Sequence, residues 1–296
     1  MFDLLQEYKR YLSEQLSVSR STYDAYVRDV TSFLSYVDIS VSHNIQEVNH
    51  EDLEGFRKAL EKCGKTPATI NRCFASVKSF YRFLRVSGVQ AYDPTENFHA
   101  VKQEKKFPTI LSGKEVDKLL KIPDIYTPKG CRDKAMLELL YATGMRVSEL
   151  IELNLDDIQI NSSVVSCRSG NVIRTIPIYS AAKNAVRDYL LRVYPYYSRN
   201  DNNALFINMN GSRLTRQGFW KIVKQYADEL GLNADITPHT LRHSFAAHLI
   251  ENGARVEDVK EMLGHADIAS TQIYAQIVNN RFKDTYTRCH PRAKSV

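Results

Sequence analysis

The chain has 296 residues, 43% of them hydrophobic and 25% charged, with a formal net charge of +6. That is ordinary globular composition, and the length suits two domains, each able to bury its own core. No apolar run approaches the ~20 residues of a membrane span, and the start, MFDLLQEYKR, has an early acid and no long apolar region, so a cytoplasmic protein without a signal peptide is expected.

The charge is unevenly placed. Residues 1–100 hold 12 Lys and Arg against 13 Asp and Glu, and the remainder holds 28 against 21. KTPATINRCFASVKSFYRFLR, 65–85, has five basic residues and no acidic one, which suggests a polyanion partner, with plain solvation as the alternative. The cysteines at 63, 73, 131, 167 and 289 include no CxxC pair and read as reduced thiols, some of them buried.

In chain order, Leu4, Leu5, Tyr8 and Leu12 recur at helical spacing. In SRSTYDAYVRDVTSFLSYV, Ser21 is the expected N-cap with Asp24 three residues on, and Tyr23, Tyr26, Val27, Val30, Phe33 and Leu34 keep the period. A shorter helix carries Leu53, Phe56 and Leu60. A fourth opens on Thr66 and Pro67, stops at Gly88, and buries Ile70, Phe74, Val77, Phe80 and Leu84. Lys78, Arg82 and Arg85 form a separate stripe at i, i+4 and i+7. These elements predict a four-helix bundle over 1–100 with one basic face.

HAVKQEKKFPTIL, 99–111, is charged and ends near Phe-Pro, and is read as a linker over 101–110. The second domain, 111–296, opens with Ser112 and Glu115 as a capping box. Further helices are expected near 131–142, 146–153 and 180–194. Between the last two, Val164, Val165, a Ser-Gly-Asn turn, then Val172, Ile173, Ile176 and Ile178 predict a β-hairpin, and ALFIN, 204–208, an additional strand. Helices resume at about 215–230, 239–251, 255–263 and 268–278. The fold class is mainly α, with a small antiparallel β-sheet in the second domain.

TPHTLRHSFAAHL, 237–249, holds the densest chemistry. Leu241, Phe245 and Leu249 make a buried stripe, and His248 beside them reads as a hydrogen-bonded structural histidine. His239, Arg242 and His243 share a neighbouring face. Thr237 and Pro238 place His239 in the first turn, where free N–H groups and the helix dipole favour an anion. A zinc site is the weaker reading: HTLRH lacks the Glu of H-E-x-x-H and sets a guanidinium between the two histidines. Arg146, in YATGMRVSELIEL, follows a Gly-containing turn, with Glu149 one helical turn on to orient it. In VKEMLGHADIASTQIYAQ a helix ends at Gly264, His265 follows, and Tyr274 comes nine residues later.

In this order, TGMRVSEL, HTLRHSFAAHL and LGHADIASTQIY resemble the three boxes of the tyrosine recombinases, the integrase-type family of site-specific DNA strand-exchange enzymes. The N-terminal bundle is similar to that family's core-binding domain, so the likeness covers nearly the whole chain. Its length is most similar to the Xer branch, which resolves chromosome dimers. The resemblance implies that Arg146, His239, Arg242 and His265 clamp the scissile phosphate, that Tyr274 is the nucleophile, and that Glu149 supports them. His243 is left undecided, with at most a supporting role. The resemblance also implies a covalent 3′-phosphotyrosine intermediate, no metal and no cofactor. The partner would be duplex DNA with paired half-sites, gripped in part by Lys78, Arg82 and Arg85. The basic tail, with Phe282 and Tyr286 at i, i+4, would dock a homo- or hetero-tetramer on the DNA, or else pack on its own domain.

One position departs from the pattern. The family carries a lysine in the hairpin turn, ahead of an Arg and a Pro, to protonate the leaving 5′-oxygen. Aligning on Arg174 and Pro177 puts Ser169 there, and no lysine occurs between Lys134 and Lys183. Arginine is a poor proton donor, so the neighbouring Arg168 is an imperfect substitute. Three readings follow: Arg168 or a water serves, another lysine folds in, or the chain binds DNA with impaired cleavage. A metallo-nuclease using the histidines is the third class of reading.

Overall fold

The computed structural model describes residues 2–40, 45–96, 98–102, 107–170, 172–199, 202–232, 236–265 and 267–289; the side chains of 2, 3, 39, 40 and 280–289 fall outside the description. The chain divides into two compact units, Met1–Lys105 and Lys106–Val296.

The first unit holds α1 (Phe2–Glu14), α2 (Arg20–Ser40), α3 (His50–Lys62) and α4 (Pro67–Val86). Their apolar faces meet in one core, where Tyr8, Leu12, Val30, Phe33, Leu53, Val77, Phe80 and Leu84 are buried. Asn49 caps α3 through a capping box with Asp52, and Thr66 caps α4 with Pro67 in the first turn. The cap of α2 lies two residues earlier than its sequence pattern suggests. Ser19 Oγ accepts the Thr22 N–H at 3.3 Å, and Ser21 sits within the helix because Ser19 offers the same oxygen one half-turn sooner.

Residues 98–101 belong to this unit. Phe98 stacks on Phe74 with centroids 3.7 Å apart, and Asn71 exchanges two hydrogen bonds with the backbone of Val101, at 2.8 and 2.9 Å. Residues 103–106, the charged part of the expected linker, lie outside the described residues.

The second unit contains α5 (Gly113–Lys121), α6 (Pro128–Thr143), α7 (Val147–Glu152), β1 (Ile158–Gln159), β2 (Val164–Ser169), β3 (Val172–Pro177), α8 (Ser180–Arg192), α9 (Tyr194–Tyr197), α10 (Arg216–Glu229), α11 (Pro238–Glu251), α12 (Val256–Leu263) and α13 (Ala269–Cys289). The sheet runs β1-β2-β3, both pairs antiparallel. Helix α6 starts three residues before its expected position, because Thr127 caps it and Pro128 takes the first turn. Ser169 pairs with Val172 and is the last residue of β2, rather than part of the turn.

The segment 204–208 is no strand. Ala204, Leu205, Phe206 and Ile207 are buried, but they make only isolated bridges to Asn154 and Arg213. An apolar run wants burial, and here it joins the main core as a loop rather than as a sheet edge. The third strand is instead β1, too short to show a period.

The chain enters this unit tied to α11. The Leu111 N–H donates to Ser244 Oγ at 2.9 Å, and His248 Nε2 lies 2.9 Å from the Leu111 carbonyl while its Nδ1 meets the Tyr141 hydroxyl at 2.8 Å. His248 is thus the hydrogen-bonded structural histidine its sequence position suggests. Cys73, Cys131 and Cys167 are buried free thiols and Cys63 is exposed. Among the described residues no helix is long and apolar enough to cross a membrane.

Candidate active site

The site is built around the end of α12. Gly264 closes that helix at φ +62°, a left-handed conformation that glycine adopts without a steric penalty. The last carbonyls of a helix have no partner within it. Here three guanidiniums take them in turn: Arg174 Nε donates to Met262 O at 2.8 Å, Arg242 Nη2 to Leu263 O at 2.8 Å, and Arg146 Nη2 to Gly264 O at 3.2 Å. The negative pole of the helix dipole favours these cations. A Cβ on Gly264 would stand 2.9 Å from Arg174 Nη1, so a side chain there would push the arginine away.

Gly144 plays the matching part at the end of α6. It too is left-handed, at φ +58°, and its carbonyl accepts from Arg242 Nη1 at 2.5 Å. Arg242 is 4% exposed, so its guanidinium is held rigidly between two helix ends. Burial, then the like charge of Arg146, brings its pKa down to about 10, which still leaves it charged at neutral pH.

Glu149, in the first turn of α7, binds the arginines together. Its Oε1 accepts from Arg146 Nη1 at 3.1 Å and Arg174 Nη1 at 3.0 Å. Its Oε2 accepts from the Arg146 backbone N–H and from Arg174 Nη2, both at 2.7 Å. It is 5% exposed. Burial alone would raise its pKa, but the Arg174 and Arg146 contacts outweigh it and hold the carboxyl below its usual range. Removing one partner of a buried pair typically costs 3–5 kcal/mol. Glu149→Ala is therefore expected to lower Tm on the order of 10 °C in thermal melts. A carboxyl with a depressed folded pKa contributes stability above its unfolded pKa and loses it as pH falls through the folded value. The difference between variant and wild type should accordingly shrink on acidification, and a difference independent of pH would count against the ion pair as its source.

The histidines and the tyrosine stand beside this knot. His239 is the second residue of α11, with its ring 6.4 Å from that of His243. Burial, then Arg242 and Arg146, depresses its pKa. His265 follows Gly264, and its Nδ1 lies 2.9 Å from the hydroxyl of the buried Thr271. Burial, then Arg242 and Arg146, pushes its pKa down to about 4. Both shifts favour the neutral imidazole at pH 7. Tyr274, on α13, is 2% exposed, and its hydroxyl lies 2.7 Å from His243 Nδ1. Burial raises the phenol's pKa, and Arg242 opposes that rise. All six residues singled out for the site thus lie in one neighbourhood. Three guanidiniums against one carboxylate leave a surplus of two positive charges, a setting made for an anion. Among the described residues no group of three or more His, Cys, Asp and Glu side chains is arranged to hold a metal ion.

The sequence profile of the phage integrase family matches residues 109–281, and that of the phage integrase N-terminal SAM-like domain matches residues 5–88. The chain belongs to the phage integrase family. It is 42% identical to the tyrosine recombinase XerD of Listeria innocua over 297 residues, covering 99% of this chain and 100% of that protein. It is 43% identical to the tyrosine recombinase XerD of Oceanobacillus iheyensis, with 98% of each chain covered. Its fold is similar to that of the XerH site-specific recombinase bound to a palindromic difH substrate, with a TM-score of 0.79 at 20% identity, covering 96% of this chain and 84% of that one. These relatives make the chain a tyrosine-type site-specific recombinase of the Xer branch. The reading as a DNA-binding protein with impaired cleavage finds no support among them.

Sequence reasoning passed over three participants in this recombinase's cluster. Arg174 served only to align the hairpin, yet both of its Nη atoms donate to Glu149. Its signal was a lone arginine in a β-branched strand. Thr271 looked like an ordinary helix residue. His243 was named, with at most a supporting role. The DNA-contact candidates Lys78, Arg82 and Arg85 lie exposed on α4 in the first unit, in a shallow recess they share with Asp93 and Glu96. The basic face is therefore less uniformly positive than its 21-residue stretch suggests. Ser169 and Arg168 are both exposed on the hairpin.

Proposed function

We propose that this recombinase cuts and rejoins DNA strands at paired half-sites through a 3′-phosphotyrosine bond to Tyr274. The observation that carries the reading is the surplus of fixed positive charge around a tyrosine, with neutral imidazoles beside it. A phosphodiester is anionic, and its trigonal-bipyramidal transition state adds charge to the non-bridging oxygens. Arg146 and Arg242 offer planar, permanently charged forks suited to those oxygens, and His239 and His265 add neutral donors. Glu149 and the α12 carbonyls hold the forks in place before substrate arrives, so little reorganisation is needed at the moment of reaction. Attack by Tyr274 stores the phosphodiester's energy in the enzyme–DNA bond. A 5′-hydroxyl from the partner duplex then reverses the step without ATP.

The 5′-oxygen leaves with the bond's electron pair and needs a proton. Ser169 stands where the family's lysine would, and its exposed position favours solvent water as the proton source. The helical first unit, with Lys78, Arg82 and Arg85, would grip phosphates along the duplex, and that grip should weaken with salt. The chain would act in the cytoplasm as a homo- or hetero-tetramer held by the basic tail, 279–296, in chromosome-dimer resolution or the mobility of an element.

The reading is tested with a nicked suicide duplex built on the half-sites the protein selects from a random-sequence pool. The expected result is a covalent protein–DNA adduct that forms equally well in EDTA. Cutting without an adduct, or cutting abolished by EDTA, would favour the metallo-nuclease.

A further inference from the structure

We propose that His243 is the base that takes the phenolic proton of Tyr274 as its oxygen attacks phosphorus. This rests on Tyr274 being the nucleophile.

The geometry is direct. His243 Nδ1 and Tyr274 Oη are 2.7 Å apart, and the two rings lie 5.7 Å apart, one on α11 and the other on α13. Among the described residues this is the one hydrogen bond of the Tyr274 hydroxyl. A buried hydroxyl needs an acceptor, so the phenol donates and Nδ1 accepts, with the ring proton on Nε2. Neither His239 nor His265 has such a contact: His265 spends its Nδ1 on Thr271.

The surroundings make this base dependent on substrate. The charged and titratable groups around the imidazole are His239 and Arg242 on its own helix, His265 beyond α12, and Tyr274 on α13. Burial, then His239 and Arg242, pushes its pKa down to about 4. In the free protein it is therefore a weak base, and the phenol stays protonated. A phosphate seated on Arg146 and Arg242 neutralises the charges that oppose imidazolium and adds an anion that favours it. The proton acceptor strengthens as the electrophile arrives. In the step itself the Tyr274 O–H bond breaks, and its proton goes to Nδ1 to give an imidazolium. The freed oxygen pair forms the bond to phosphorus. The bond from phosphorus to the 5′-oxygen breaks with its pair going to that oxygen, which takes a proton from solvent water. In rejoining, the imidazolium returns its proton to the departing phenolate.

The test measures single-turnover adduct formation on the nicked suicide duplex described above, from pH 6 to 9. His243→Asn keeps a hydrogen-bonding atom near the Nδ1 position and cannot take a proton, and His243→Gln is the second variant should the first fold poorly. General-base assistance is worth about 10²–10⁴-fold, so a slowing of at least ~10²-fold is expected, with gel-shift affinity for the duplex retained. The variant's rate should climb about tenfold per pH unit, the slope of a single deprotonation, where the wild type is flat. Replacing Tyr274 by a ring-fluorinated tyrosine, a more acidic phenol, should rescue the variant at least ~10-fold and barely affect the wild type. A variant within threefold of wild type would overturn the proposal. So would a slow variant with the wild-type pH profile and no rescue, since a purely positioning role predicts that. A wild-type adduct mapping to another residue, or no wild-type adduct, would overturn the nucleophile assignment itself.

Discussion

Tyr274→Phe is expected to bind its DNA site with near wild-type affinity and to form no covalent adduct, a loss beyond ~10⁴-fold in cleavage. The change removes one oxygen. The ring keeps its place in the cluster with Phe245, Ala246, Val259 and Leu263, so α13 should stay docked. The lost bond to His243 is worth roughly 1 kcal/mol, and Tm should move by only a few degrees. Adduct capture on the suicide duplex, gel shift and thermal melts together separate the outcomes. An adduct that survives in the variant would remove Tyr274 from the chemistry. A variant that unfolds would show that the hydroxyl is structural, and only then would its inactivity say nothing about attack.

Arg242→Lys should be less severe for cleavage and worse for the fold. Lysine keeps the charge but has a single nitrogen, and cannot span Gly144 O and Leu263 O while presenting a planar fork to phosphate. Loss of one fixed transition-state donor costs about 10²–10³ in rate. An orphaned buried carbonyl adds roughly 1–3 kcal/mol of instability. Single-turnover rates and melts of Arg242→Lys and Arg146→Lys should diverge in stability and agree in rate, because the Arg146 side chain is 37% exposed and loses less on replacement. An Arg242→Lys rate within tenfold of wild type would mean that charge alone suffices and that the fork geometry is not used.

The two arginines show where sequence reading was strong. Each sits next to a local signal: Gly144 before Arg146, and Pro238 opening the helix of Arg242. Caps at Thr66 and Ser112 and the stop at Gly264 were legible for the same reason, since such chemistry acts over three or four residues. The errors also have local causes. Ser21 and Ser19 compete for one cap, and only the path of the chain before α2 chooses between them. The run at 204–208 is apolar because it is buried, and burial does not say whether a strand or a loop provides it. Arg174 was missed because its partners, Glu149 and Met262, lie 25 and 88 residues away.

The sequence by itself therefore determined the helical units, the small hairpin, the boxes that mark a tyrosine recombinase, and the lack of any lysine in the hairpin. Each of these is a matter of residue type at short spacing. The tertiary structure decided how the site is held and how its groups are tuned. Only folding brings the carbonyls of Met262, Leu263 and Gly264 to three arginines from three other elements, places Glu149 among them, and sets His243 against Tyr274 across 31 residues. Hydrogen bonds and pKa shifts depend on distance and burial in space, and no spacing along a chain encodes these until the core has closed.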